Sequence, residues 1–226
     1  AYEGYKAVQA FKRRQNTTDD DVIGLLDRSN VSVLDENSNK DAAIVSTQRD
    51  LIAGEVSKDI ARRKLIPTDI LEAHDSGAIH FHDMDYIIQP MFNCCLINLE
   101  DMLTNGTVIN GKKIDTPKSF QVACTVTTQI IAQVASGQYG GQSINGIDRI
   151  LAPFVRKSYE KILNNVIEEQ VEIYGMEPNM EKAREIAWNR TRKEVKDGIQ
   201  TIQYQINTLM TTNGQSPFVT LFMYFQ

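Results

Sequence analysis

The sequence predicts a helix-rich α/β protein, and three observations carry that prediction. Apolar residues recur at helical spacing through three long stretches between residues 116 and 209. The chain then turns into a run of β-branched and aromatic residues, Phe218 to Gln226, that reads as a strand. Ahead of these, the first part of the chain divides into short, capped helical segments.

Each element has its own local signal. Asn16-Thr17-Thr18-Asp19-Asp20-Asp21 can start a helix carrying Val22, Ile23, Leu25 and Leu26. Asn39 or Asp41 can start the next, through Ile44, Leu51, Val56 and Ile60, with Arg62-Arg63-Lys64 suiting its C-terminal dipole. Pro67 fits the first position of a helix from Thr68 to His74, and Gly77 fits its stop. Ile79 to Phe81 alternates like a short strand. Asp115 or Thr116 caps a helix over 116–137, with Pro117 in its first turn, the stripe Phe120, Ala123, Thr127, Ile130 and Val134, and Gly137 at its close. A second helix spans 147–174, with Pro153 in its first turns or kinking it, and a third spans 180–209.

Composition narrows the function classes. At 226 residues and 42% hydrophobic, the chain is globular and fits one large domain or part of a larger one. A formal charge of -5 argues against general binding to nucleic acid or an anionic membrane. No apolar run approaches the ~20 residues that span a bilayer, and no secretory signal opens the chain. Three cysteines, two of them adjacent, suit a reduced, cytoplasmic setting, because neighbouring cysteines bridge each other only in a strained ring. With no initiator Met and a closing strand that simply stops, an internal fragment of a longer protein is expected.

Several constellations can carry chemistry. His80 and His82, on an alternating segment, would share a face beside Asp83 and Asp85. Two His with carboxylates could hold a metal, but local spacing places no third ligand; a substrate-gripping cluster and a structural hydrogen-bond network are the alternatives. Of Cys94 and Cys95, alternation turns one away from the other, which favours one reactive and one structural thiol; Cys124, mid-helix among Ala and Val, reads as core. Gln138-Tyr139-Gly140-Gly141-Gln142-Ser143 is either a plain loop or a place where backbone approaches a ligand closely. Asn213-Gly214-Gln215-Ser216-Pro217 has turn composition, and neither glycine segment has phosphate-loop spacing. Lys118, beside the N–H groups of a helix's first turn, could hold a phosphate or be simply solvated.

Together these segments resemble a known family. The ordered motifs are His80 to Tyr86, Asn93-Cys94-Cys95-Leu96-Ile97-Asn98-Leu99, Asp101 to Gly106, Thr116-Pro117-Lys118-Ser119, Gln133 to Ser136, Gln138 to Gly141, and Asn207 to Leu209 followed by Asn213 to Thr220. They cover residues 75–226, with Glu36-Asn37 and Ala73-His74 the better points earlier. In this order they resemble the large catalytic subunit of the anaerobic, glycyl-radical (class III) ribonucleoside-triphosphate reductases.

The resemblance implies half of a ten-stranded α/β barrel of the glycyl-radical type, with long external helices forming a dimer and effector interface. It implies an N-terminal helical region over 1–77 and the first part of the catalytic barrel over 78–226. An ATP cone and a C-terminal glycyl-radical domain with a structural zinc site would lie outside this chain. Such enzymes reduce nucleoside triphosphates to 2′-deoxynucleotides by thiyl chemistry, with formate as the usual reductant. They work with a radical-SAM iron-sulfur activating enzyme.

On this resemblance Cys94 is the reducing cysteine, and His82, Asn93, Asn213 and Gly214 belong to the substrate pocket. Asp115, Lys118, Gln129 and Lys161 would bind an effector nucleotide, a dNTP or ATP, at a homodimer interface. Gln205 departs from the carboxylate expected late in the third helix. No metal, nucleic-acid or membrane site is expected in this part, which alone would be inactive. A helical nucleotide-sensing and dimerisation module without chemistry, and another glycyl-radical enzyme, are the alternatives.

Overall fold

The computed structural model describes residues 2–13, 15–31, 41–89, 91–173, 175 and 177–224. Asn39, the Glu36-Asn37 pair, Tyr174 and the last residue of the closing strand, Gln226, lie outside them. The chain divides into two compact units: residues 1–91 with 212–215, and residues 92–211 with 216–226.

The first unit is helical among its described residues. It contains α1 (Tyr2–Arg13), α2 (Thr18–Leu26), α3 (Val45–Ile60) with a π turn (Ala61–Leu65), α4 (Thr68–Asp75) and a short 3-10 turn (Met84–Tyr86). Helix α2 starts where the Asn-Thr-Thr-Asp run predicts, with the Thr18 N–H donating to Asn16 Oδ1 at 3.0 Å. A carboxylate then fastens α2 to α3. Asp59 accepts two bonds of 2.7 Å from the Arg63 guanidinium and one of 2.6 Å from the Thr18 hydroxyl. The Arg63 bonds hold its carboxyl below the ordinary carboxylate range.

Several boundaries differ from the sequence expectation. Helix α3 begins at Val45, because Asp41 folds a local turn onto the Ala43 N–H (2.9 Å) instead of capping. Pro67 stands one position before the first helical residue, and α4 runs on to Asp75. Gly77, at φ +78, stops it as expected: the Ala78 N–H reaches Ala73 O and the Gly77 N–H reaches His74 O. Residues 79–81 pair with no strand, so the expected strand there is absent.

The second unit carries two sheets and the long helices. Strand β1 (Cys95–Leu96) leads into α5 (Leu99–Thr104), a hairpin of β2 (Thr107–Ile109) and β3 (Lys112–Ile114), and α6 (Phe120–Ala135). Strand β4 (Gln142–Asn145), α7 (Ile147–Glu168) with a π turn (Glu169–Ile173), α8 (Met180–Thr208) and β5 (Val219–Phe222) follow. Strands β1, β4 and β5 form one parallel sheet in the order β1-β4-β5, with Cys95 beside Gln142 and Gln142 beside Val219. The hairpin turns on Asn110-Gly111, both at positive φ, as a two-residue hairpin loop requires.

One apolar core joins the sheet to the helices. Leu99, Leu103, Ala123, Cys124, Ile130, Ile131 and Ile144 are among its most completely buried members, and Phe120, Leu151, Phe154 and Ile202 also belong to it. Helices α6, α7 and α8 pack on one another. Helix α6 begins at Phe120, with Ser119 as N-cap accepting the Val122 N–H at 3.3 Å, so the expected caps Asp115 and Thr116 lie upstream of it. Pro153 lies inside α7, past its first turn. Helix α8 is capped by Asn179, which accepts the Lys182 N–H at 3.0 Å, and ends at Thr208, one residue short of the expected stop.

Candidate active site

The two adjacent cysteines sit where the chain enters β1, and the segment after α6 runs beside them. The Phe92 N–H donates to Gly137 O (3.2 Å), the Tyr139 N–H to Phe92 O (3.1 Å), and the Gly140 N–H to Asn93 O (2.8 Å). The Cys95 N–H then donates to Gly141 O (3.2 Å) and the Ile97 N–H to Ser143 O (2.9 Å). This ladder is why the glycine loop carries short residues: it is a backbone partner of Asn93 to Cys95. Its glutamines serve the same end. Buried Gln138 donates to Gly140 O at 3.2 Å, and buried Gln142 donates to Ile131 O of α6 at 3.0 Å.

Strand alternation separates the sulfurs as the sequence predicts. Cys94 is exposed, and its thiol donates to Asn93 Oδ1 at 3.0 Å. Cys95 packs against the apolar core, and burial, reinforced by neighbouring Cys94, pushes its thiol up. Cys124 is fully enclosed in α6, with its thiol pushed up to about 12 by burial and by Glu194. Beyond Cys94, the sheet face opposite the core presents Leu96 (71% exposed), Ser143, Asn145, Thr220 and Phe222. One solvent-facing thiol thus opens onto a mixed polar and apolar sheet face.

The histidine loop belongs to the first unit. His80 and His82 are exposed, with ring centroids 5.5 Å apart and edge to face, and His74 lies 5.6 Å from His80. The Phe81 N–H donates to His74 Nδ1 at 3.2 Å, which makes that nitrogen an acceptor. His82 Nδ1 pairs with Asp83, which takes up φ +58 to begin the 3-10 turn. Helix α3 anchors that turn: the Ser57 hydroxyl donates to Met84 O (2.8 Å), and Asp50 Oδ2 accepts from the Tyr86 hydroxyl (3.3 Å). The two histidines do meet, though through a loop and not a shared strand face. Among the described residues no group of three His, Cys, Asp or Glu is arranged to hold a metal ion.

The other candidates fall as follows. Asn213 is 3% exposed, and Gly214, at φ +72, accepts the Thr47 hydroxyl at 2.8 Å on its carbonyl. Asp115 and Lys118 are exposed upstream of α6, Gln129 lies on the exposed stripe of α6 with Val122 and Thr125, and Lys161 is exposed on α7. The N–H groups opening α6 are not free for a phosphate beside Lys118. The Phe120 N–H donates to Ser158 Oγ (2.7 Å), the Gln121 N–H to Glu194 Oε1 (3.0 Å), and the Ser158 hydroxyl to the same oxygen (2.9 Å). The anion at this helix N-terminus is the protein's own carboxylate. Nothing in the sequence singles out Glu194, which stands among the charged residues Arg192, Lys193, Lys196 and Asp197.

These features define a helix-rich α/β domain that presents a single exposed thiol, Cys94, at the head of a parallel sheet. A family model described as anaerobic ribonucleoside-triphosphate reductase matches residues 36–226. The chain belongs to that family. It is 46% identical over 222 residues to the anaerobic ribonucleoside-triphosphate reductase of Escherichia coli (strain K12), covering 97% of this chain and 30% of that protein. It is 42% identical over 206 residues to the enzyme of the same name from Enterobacteria phage T4, covering 91% of this chain and 32% of that protein. Among solved structures, the anaerobic ribonucleotide reductase from Thermotoga maritima in complex with dATP and CTP has the same fold, with a TM-score of 0.61 at 15% identity. That likeness covers 95% of this chain and 34% of the Thermotoga maritima chain. The chain therefore spans about 30% of the length of the curated relatives it matches.

Proposed function

We propose that this chain is part of an anaerobic reductase that converts ribonucleoside triphosphates to 2′-deoxyribonucleoside triphosphates, and that Cys94 is its reducing thiol. The observation that carries the reading is the split between the adjacent cysteines: Cys94 is exposed beside Asn93, whereas Cys95 packs into the core. A hydrogen donor must reach a substrate, and only Cys94 of the pair faces away from the core. In the net reaction the 2′-hydroxyl leaves as water and formate is oxidised to carbon dioxide. Its hydrogen and electron pair, with one proton, balance the exchange of C–OH for C–H.

Glycyl-radical chemistry, held elsewhere in the protein, would supply the unpaired electron that opens the reaction. Cys94 would donate a hydrogen atom to the ribose carbon and be restored to the thiol at the expense of formate, with His82, Asn93, Asn213 and Gly214 as the substrate-binding residues. The three parallel strands would belong to a ten-stranded barrel completed by the rest of the protein. Asp115, Lys118, Gln129 and Lys161 would contribute to an effector site at a homodimer interface, where the lysines suit phosphate and Asp115 and Gln129 suit sugar or base. A structural zinc, an activating iron-sulfur enzyme and a cytoplasmic setting complete the proposal.

The test is Cys94→Ser in the full-length enzyme, assayed without oxygen. Deoxynucleotide formation is expected to fall at least about 10³-fold, the scale of losing a reacting group, while Cys95→Ala stays within about tenfold of the parent. A Cys94→Ser enzyme with near-parental turnover would overturn the assignment.

A further inference from the structure

We propose that Gly140 and Asn93 form a positioning cradle for the Cys94 thiol, Asn93 as its hydrogen-bond acceptor and Gly140 as the space in which the pair fits. The proposal rests on the reading of Cys94 as the reducing sulfur and adds residues that hold it in place. The Gly140 N–H is tied to Asn93 O at 2.8 Å, so its α-carbon is held against the start of β1. A β-carbon at Gly140 would collide with both Asn93 O and Asn93 Oδ1, and would stand 3.0 Å from Cys94 Sγ. That same Oδ1 is the atom on which the Cys94 thiol donates. A single methyl at residue 140 would therefore displace the acceptor and crowd the sulfur at once.

Conformational freedom is not the reason for this glycine. Gly140 is absent from the glycines with positive φ, so its backbone is one that other residues adopt. The neighbouring glycine makes the contrast. A β-carbon at Gly141 would meet only Phe218, at 3.8 Å from its Cβ, an ordinary van der Waals contact. Two adjacent glycines thus differ in kind: space around the thiol demands the first and tolerates change at the second. Hydrogen transfer needs the reacting atoms near contact, and misplacement by about 1 Å can cost about 10²-fold in rate. A sulfur whose orientation is set by Asn93 and walled by Gly140 avoids that loss.

The experiment compares Gly140→Ala, Asn93→Ala, Gly141→Ala and Cys94→Ala in the full-length reductase under anaerobic conditions. Readouts are kcat, KM for the nucleoside triphosphate, and the rate at which iodoacetamide labels Cys94 in the folded protein. Gly140→Ala is expected to lower kcat by about 30- to 100-fold with KM within about threefold, and to change Cys94 labelling severalfold. Gly141→Ala should match the parent in all three. Should Gly140→Ala fail to fold, Asn93→Ala decides: a fall in kcat at constant KM supports the cradle, and a parental kcat, or a loss confined to KM, overturns it. A folded Gly140→Ala with parental kcat and labelling also overturns it, provided Cys94→Ala is inactive. An active Cys94→Ala would instead remove the reading of the thiol itself.

Discussion

Residues 94 and 95 show how one step along a strand sets the chemistry of a side chain. The first sulfur meets solvent and an amide oxygen; the second meets the core beneath the sheet. Burial disfavours the thiolate, so the Cys95 thiol is pushed up and that of Cys124 is pushed up to about 12. Iodoacetamide at about pH 8 is therefore expected to label Cys94 at least about tenfold faster than either of the others, read by peptide mass spectrometry. Labelling of Cys124 at a comparable rate would mean that α6 opens in solution. At this scale the division of the cysteines was legible in the sequence, since alternation alone forces neighbours apart. The reason for Gly140 was not legible, because it depends on where Asn93 Oδ1 lies once two distant segments pair.

Among the elements, α6 and α8 cross in close contact at Gly198. A β-carbon at Gly198 would lie 2.6 Å from a ring carbon of Phe120 and 2.9 Å from Cys124 Sγ. In an exposed helix, Gly→Ala gains about 0.5–1 kcal/mol from propensity. Here overpacking outweighs it, and Gly198→Ala should destabilise the protein by about 1–3 kcal/mol, seen as a lower urea midpoint. The long helices were legible because their apolar stripes are long, and the Gly77 stop fell where local chemistry puts it.

Helix starts were less legible. The tertiary bonds from Ser158 and Glu194 hold the beginning of α6, which lies downstream of the Thr116-Pro117 signal. The β2–β3 hairpin has a local signal of its own, Asn110-Gly111 directly after the β-branched run Thr107-Val108-Ile109. Ile79 to Phe81 shows the converse error. Its alternation is real, but without a partner strand it forms a loop whose histidines are placed by His74 Nδ1 and Asp83.

For the molecule as a whole, the sheet of the second unit packs one face against the apolar core. Opposite the core it leaves Leu96 and Phe222 largely exposed, and β1 and β5 are both edge strands. Unpaired edges next to exposed apolar side chains favour pairing with another chain. Residues 1–226 expressed alone should self-associate with rising concentration, measured by light scattering after size exclusion, whereas the full-length enzyme should show a defined state. A segment that stays monomeric at about 100 μM would count against a missing remainder of the sheet. Among the described residues no helix is long and apolar enough to cross a membrane.

The parallel sheet also dictates when the thiol can be held. Cys95 is registered against Gln142, and Gln142 against Val219, so each neighbour arrives only after one or more intervening helices have been made. During synthesis on the ribosome, Cys94 emerges early but has no Gly140 beside it until α6 and β4 have left the exit tunnel. Such non-local ladders close slowly. For that interval a nascent chain carries the Cys94 thiol without the neighbouring segment that fixes its surroundings.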